Sequence, residues 1–304
     1  MKKIAICLSG QGAQYPGMGK EIFDISAASR DVFQKADTIK PNTSALCFAG
    51  TKEELAQTIN TQPCLFAVDL AIARALIEAG IVPSAIAGFS VGEIPALALA
   101  GVMTDEDAMR VVSARGKYME ECGEQSRGAM AAIIGLDAKM VEEICLGYDE
   151  VWPVNYNSPA QTVVAGKPES IDLICENIST HGGRAIKLNV SGAFHTPYMA
   201  EASTKLRDFL KEVDFRDPDV VVYSNKTASP YEGEYKELLS EQLVSSVLWK
   251  QIIENMANDM GIEIFIEAGP GKALSGMIKK ILPDTVVFNC ENAEDLEKIK
   301  KALC

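Results

Sequence analysis

Histidine is nearly absent: the 304 residues contain two, His181 and His195. Any mechanism that needs an imidazole has two places to find one. Basic residues are short as well, 29 Lys and Arg against 42 Asp and Glu, for a formal net charge of −13. That balance excludes general nucleic-acid binding, which needs a basic face, and obliges an anionic partner to meet a local basic patch. No apolar run reaches the roughly 18 residues of a membrane span. None of the eight cysteines stands in a C-x-x-C pair. Neither a disulfide frame nor a metal site is indicated, and the cysteines read as reduced, mostly buried thiols. The opening stretch, MKKIAICLSGQG, has too short an apolar core for a signal peptide and runs straight into a glycine turn. It reads as a first strand, in a cytoplasmic protein.

What the chain does have is a regular alternation of short apolar strands and helices. KIAICLSG, AIAGFS, PDVVVYSN, IEIFIEAG and DTVVFN read as strands. QPCLFAVDLAIARALIEAG reads as a long apolar helix, and KELLSEQLVSSVLWKQIIENMANDMG as one helical stretch. TDEDAMRVVSARGKYMEEC has Thr104 as its N-cap and three acids in its first turn, both favourable at a helix start. The pattern predicts an α/β protein whose large, α/β-hydrolase-like domain carries a parallel sheet covered on both faces. Residues 127–190 break the rhythm with the order β-α-β-β-α-β, the ferredoxin-like arrangement. The expected organisation is a large catalytic domain from residues 1–126 and 191–304, with residues 127–190 inserted as a small subdomain.

One short motif carries chemistry. Gly88-Phe89-Ser90-Val91-Gly92 follows a predicted strand and precedes a predicted helix, the context of a nucleophile elbow. The glycines suit a turn where side chains would collide with strand and helix. A helix N-terminus behind Ser90 points N–H groups at an oxyanion formed there. The bland alternative is a small residue in a tight turn.

A serine hydroxyl needs a base. His181, in STHGGR, closes a helix and has a structural reading. His195, in VSGAFHTPYM, lies at a strand-to-helix junction where Thr196 can cap and Pro197 suits the first helical position. That junction returns the chain from the small subdomain to the large one, and sites gather in such crevices. His195 is therefore the candidate base. No acid stands in an obvious third position, and His195 comes too early for the usual serine–acid–histidine order. A dyad oriented by a backbone carbonyl remains open, since the ring needs one acceptor on its other nitrogen.

LSGQGAQYPGMG, GFSVGE, RGKYM, NYNSPAQTVVAG, GAFHTPYM and EAGPGKALSGMIKKI occur in this order along nearly the whole chain. Together they resemble the malonyl-CoA:acyl carrier protein transacylases and the acyltransferase domains of fatty-acid and polyketide synthases. The resemblance implies ping-pong acyl transfer. Ser90 takes the malonyl group from malonyl-CoA, with His195 as base, and passes it to the phosphopantetheine thiol of acyl carrier protein. The backbone N–H groups of Gln11 and Val91 would hold the oxyanion. Arg115 matches the arginine that grips the malonyl carboxylate, where guanidinium makes a bidentate pair; without the resemblance it reads as a solvated helix arginine. Gln242 matches the residue whose backbone carbonyl orients the histidine, so its side chain is expected to matter less. Asn155 and Asn157 match polar residues lining the cleft, with a turn role as the alternative.

The resemblance implies no permanently bound cofactor and no metal. It names acyl carrier protein and a coenzyme A thioester as partners; charge and hydropathy speak for no nucleic acid and no membrane, and a monomer is the default. A carrier of acidic surface would ask for a lysine rim, for which Lys272, Lys279 and Lys280 are candidates. The chain departs at Phe89, where the similar sequences carry histidine beside the bound carboxylate. That change bears on acyl choice and on the lifetime of the acyl-enzyme. Phe194 matches the malonyl-selective pattern. Thioester hydrolysis or transfer of another acyl group is the alternative reading, and a non-catalytic carrier-docking subunit is a more distant one.

Overall fold

A computed structural model describes residues 2–190 and 192–304; Met1 and Ser191 lie outside the described residues. Among the described residues the strands are β1 (Ile4–Leu8), β2 (Ala85–Gly88), β3 (Ala129–Ile134), β4 (Val151–Ser158), β5 (Gln161–Gly166), β6 (Arg184–Lys187), β7 (Val221–Tyr223), β8 (Ile264–Ala268) and β9 (Val286–Cys290). They form two sheets. The five-stranded sheet runs β7-β2-β1-β8-β9 with every pair parallel. The four-stranded sheet runs β4-β5-β3-β6 with every pair antiparallel, and helices Ala138–Cys145 and Pro168–Asn177 supply its crossovers. The α/β class and the ferredoxin-like order are thus both present.

The period of two along each strand divides the core. Ile6, Leu8, Ile86, Val222, Ile264 and Ile266 pack on one face of the parallel sheet, against helices Thr58–Glu78 and Glu93–Leu99. Ala5, Cys7, Ala85, Ala87, Tyr223 and Phe265 pack on the other, against helices Trp249–Met260 and Ala273–Ile281. Burial on both faces is what lets the strands read as unbroken apolar runs. The antiparallel sheet has an apolar core of its own, built on Ala131, Ile133 and Val164 with Val141, Ile171 and Ile174 from its helices. No helix among the described residues is long and apolar enough to cross a membrane.

Two helices differ from the sequence reading. Helix Thr58–Glu78 begins four residues before Gln62, so Pro63 lies inside it. Proline has no N–H to give the carbonyl four residues back. Lys40 Nζ donates to that carbonyl, Ile59 O, instead. The stretch read as one helix from residue 236 is two, Tyr235–Gln242 and Trp249–Met260. Between them Val247 joins the edge of β4: its N–H donates to Val154 O at 2.8 Å, and Tyr156 N–H donates to its carbonyl at 2.9 Å. An unpaired edge strand drew the β-branched segment out of helix. The break leaves Gln242 at a helix end, where its carbonyl accepts from Ser245 N–H at 3.2 Å and keeps a lone pair for a second donor.

Candidate active site

Ser90 stands beyond the end of β2 with Phe89 between, at φ 53°, in a region that non-glycine residues enter at a cost of about 1–3 kcal/mol. The flanking glycines are required by contact. A Cβ on Gly88 would lie 1.8 Å from Gly92 O, and one on Gly92 would lie 2.4 Å from Ser9 O. Asn225, just after β7, secures the turn: its Oδ1 accepts from Ser90 N–H at 2.6 Å and its Nδ2 donates to Gly88 O at 2.6 Å. Ser90 N–H is thereby occupied. Val91, next in the short 3₁₀ turn Ser90–Gly92, presents one of the leading N–H groups that lack an intrahelical acceptor.

His195 also sits on left-handed backbone, at φ 62°. Behind it Thr196 Oγ1 accepts from Tyr198 N–H and caps the turn Pro197–Met199. His195 Nε2 lies 2.8 Å from Ser90 Oγ, and Nδ1 lies 2.8 Å from the carbonyl of Gln242. A carbonyl only accepts, so Nδ1 carries the ring proton and the lone pair of Nε2 faces the serine hydroxyl. Burial first, and the charge of Arg115 second, push the imidazole down to about 4. The ring is a neutral base across the physiological range. His181 is exposed at the end of the short helix Ile178–His181.

Arg115 is 1% exposed, which removes the solvated-arginine reading. Its Nη1 donates to Gln62 Oε1 at 2.8 Å; its Nη2 donates to Gln242 Oε1 at 2.7 Å and to Ser90 Oγ at 3.2 Å. Burial lowers the guanidinium to about 10, and Glu93 acts in the opposite direction. The expectation that the Gln242 side chain matters less than its carbonyl is corrected here. Its Nε2 donates to Ser90 O at 2.9 Å and to Glu93 Oε2, while its Oε1 accepts from Arg115. One residue touches nucleophile, base and guanidinium.

Gln62, Glu93, Asn225 and Tyr231 were not singled out from sequence. Glu93 Oε1 accepts from Tyr231 Oη at 2.6 Å and from Asn225 N–H at 3.0 Å. Burial still pushes its carboxyl up to about 7, against these donors. The usable signal was a carboxyl and an amide standing alone in apolar runs, since a buried polar side chain must have partners.

Phe89 is half-buried, edge-on to Trp249 at 5.5 Å between ring centroids. It also lies against the β1 loop, where a Cβ on Gly10 would meet Phe89 Cδ1 at 2.6 Å. Gln11 follows in that loop, its Nε2 donating to Thr58 Oγ1 at 3.3 Å. Phe194 is buried beside His195. Asn155 and Asn157 are buried on β4, and the Oδ1 atom of each lacks a hydrogen-bond partner among the described residues. Lys272 and Lys280 are exposed, and Lys279 donates to Pro283 O and Thr285 O.

Comparison with known proteins places this chain among the acyl transferases. The acyl transferase domain model matches residues 6–298. The chain is 40% identical over 289 residues to the malonyl CoA-acyl carrier protein transacylase of Bacillus subtilis, covering 92% of this chain and 91% of that one. It superposes on the crystal structure of the malonyl CoA-acyl carrier protein transacylase of Clostridium perfringens with a TM-score of 0.94 and 37% identity, covering 99% and 97% of the two chains. A malonyl-transacylase solved in complex with its type II PKS acyl-carrier protein matches with a TM-score of 0.93 and 32% identity over 99% of both chains.

Proposed function

The chain belongs to the acyl transferase domain family, and from that premise we propose that it moves a malonyl group from malonyl-CoA to the phosphopantetheine thiol of acyl carrier protein by way of an ester on Ser90. His195 Nε2 takes the hydroxyl proton as Ser90 Oγ attacks the thioester carbonyl. The oxyanion rests on the N–H groups of Gln11 and Val91, where one donor typically contributes about 3 kcal/mol to the transition state. The tetrahedral intermediate collapses, the C–S bond breaks, and the imidazolium returns the proton to the coenzyme A sulfur. In the second half the carrier thiol gives its proton to His195 and its sulfur attacks the ester. Ser90 Oγ leaves, protonated by the same ring.

Arg115 binds the free carboxylate of the malonyl group, and Gln242 orients His195 through its carbonyl. Phe89 and Phe194 supply apolar walls. Asn155 and Asn157 are the polar residues of the cleft wall on the inserted subdomain. Residues 1–126 and 191–304 act as the catalytic body and 127–190 as the inserted subdomain; the separate apolar core of the antiparallel sheet supports that division. Every named site residue comes from one chain, so a monomer suffices for the chemistry. Eight free cysteines, six of them buried, suit a reducing compartment such as the cytoplasm.

The observation that carries this reading is a buried guanidinium 3.2 Å from a serine whose hydroxyl is 2.8 Å from a neutral histidine. Purified protein given malonyl-CoA and phosphopantetheinylated carrier is expected to yield malonyl-carrier and free coenzyme A. Release of free malonate with no malonyl-carrier formed would favour the thioester hydrolase and overturn the transfer reading.

A further inference from the structure

Arg115 carries a full charge in the interior, yet every side-chain oxygen that holds it is neutral: Gln62 Oε1, Gln242 Oε1 and Ser90 Oγ. Buried charges are ordinarily paired with an opposite charge, because desolvation is otherwise uncompensated. A carboxylate is close by, but Glu93 sits at the far end of the Gln242 amide. The orientation of that amide is determined by its neighbours. Its Nε2 end faces two acceptors, Glu93 Oε2 and Ser90 O, so its oxygen end faces Arg115. Gln62 is oriented in the same sense, with Nε2 directed at Met119 Sδ at 3.3 Å and Oε1 at Arg115.

We propose that Gln62 and Gln242 are specificity-determining residues: two amides position the Arg115 fork with neutral oxygens and so reserve its charge for the carboxylate of the incoming acyl group. This rests on the reading of Arg115 given above and adds a reason for its selectivity. A carboxylate built into the protein at either position would reach the same N–H groups and satisfy the arginine permanently. The malonyl carboxylate would then have to displace an internal, fully preorganised anion. An acetyl group, having no carboxylate, would face no such competition. Gln and Glu are nearly isosteric, so the feature that matters is charge and not shape. The amide of Gln242 has a second consequence. By donating to Glu93 it holds a nearby acidic side chain away from the fork.

The test compares Gln62→Glu, Gln62→Met and Arg115→Ala, each scored for kcat and KM with malonyl-CoA and acetyl-CoA. Gln62→Glu is expected to raise KM for malonyl-CoA at least ~10-fold while acetyl-CoA use is far less affected, collapsing the malonyl preference. A raised KM for malonyl-CoA, with kcat for acetyl-CoA retained, is a split that a merely structural defect would not give. Gln62→Met loses one hydrogen bond to Arg115 and adds no charge; it is expected to lose about 5-fold in kcat/KM for malonyl-CoA and still prefer malonyl. Equal loss of preference in Gln62→Glu and Gln62→Met would overturn the proposal, since geometry and not charge would then be at work. Should the Glu variant fail to fold, collapse of the preference in Gln62→Met alone would overturn it. Arg115→Ala separates the two levels. If it keeps the malonyl preference, the underlying reading of Arg115 fails and the proposal with it. If it loses the preference while Gln62→Glu keeps it, only the proposal falls.

Discussion

Ser90 Oγ and His195 Nε2 meet at 2.8 Å across 105 residues of sequence, and both residues stand on left-handed backbone, at φ 53° and 62°. Two strained non-glycine residues persist only where the surroundings over-determine them. Asn225 clamps one side and the Gln242 carbonyl holds the other. The hydrogen bond is thus built into the resting protein and needs no assembly by substrate.

The pH profile should show this. With His195 pushed down to about 4 by burial and by Arg115, kcat/KM for malonyl-CoA is expected to stay level on acidification to about pH 5. It should then fall about tenfold per unit below pH 4. An acid limb centred near the ordinary histidine value of 6.5 would mean that the ring is not desolvated as described.

Stability carries two opposing signs. His195 binds its proton less readily folded than unfolded, so its contribution is present above pH 6.5 and is lost as pH falls toward about 4. Glu93 is raised from 4.5 to about 7, so its contribution is present below 4.5 and is lost as pH rises through 7. The two partly cancel between these values. In Glu93→Gln the histidine acts alone, and Tm is expected to drop more steeply than in the wild type between about pH 6.5 and 4.5. A shallower drop would contradict the assigned signs.

Gln242→Ala keeps the carbonyl that holds His195 and deletes the amide. Arg115 loses an acceptor and Glu93 a donor, both buried, at about 1–3 kcal/mol each. Malonyl-CoA turnover is expected to fall ~10- to 100-fold with a lowered Tm, read by steady-state kinetics and thermal melting. Wild-type turnover would show that the backbone alone is what this residue contributes.

Lys40 and Pro63 form a local pair through the carbonyl of Ile59. Lys40→Met is expected to cost about 1–2 kcal/mol by urea denaturation. In a Pro63→Ala background, where an N–H returns to that carbonyl, the same change should cost measurably less. Equal costs in the two backgrounds would show that the lysine does not replace the missing bond.

The sequence revealed the sheet strands well because each is a short apolar run whose two faces are both buried. It revealed Ser90 through its glycine context, and His195 because only one alternative existed. The helix break after Gln242 was hidden, since LVSSVLW satisfies helical spacing and only the exposed edge of β4 selects the extended form. The start of helix Thr58–Glu78 was hidden because proline usually marks a first turn, and Lys40, distant in sequence, rescues it in the interior. The neutral holders of Arg115 were hidden for a related reason. Gln62 and Gln242 are 180 residues apart, and nothing local shows that both face one guanidinium.

The central claim is tested most directly by intact-protein mass spectrometry and peptide mapping after exposure to malonyl-CoA without carrier. One malonyl group per chain is expected, on the peptide containing Ser90, removed by phosphopantetheinylated carrier and absent from Ser90→Ala. A malonyl adduct of equal yield on Ser90→Ala, or one mapped to another residue in the wild type, would contradict the account.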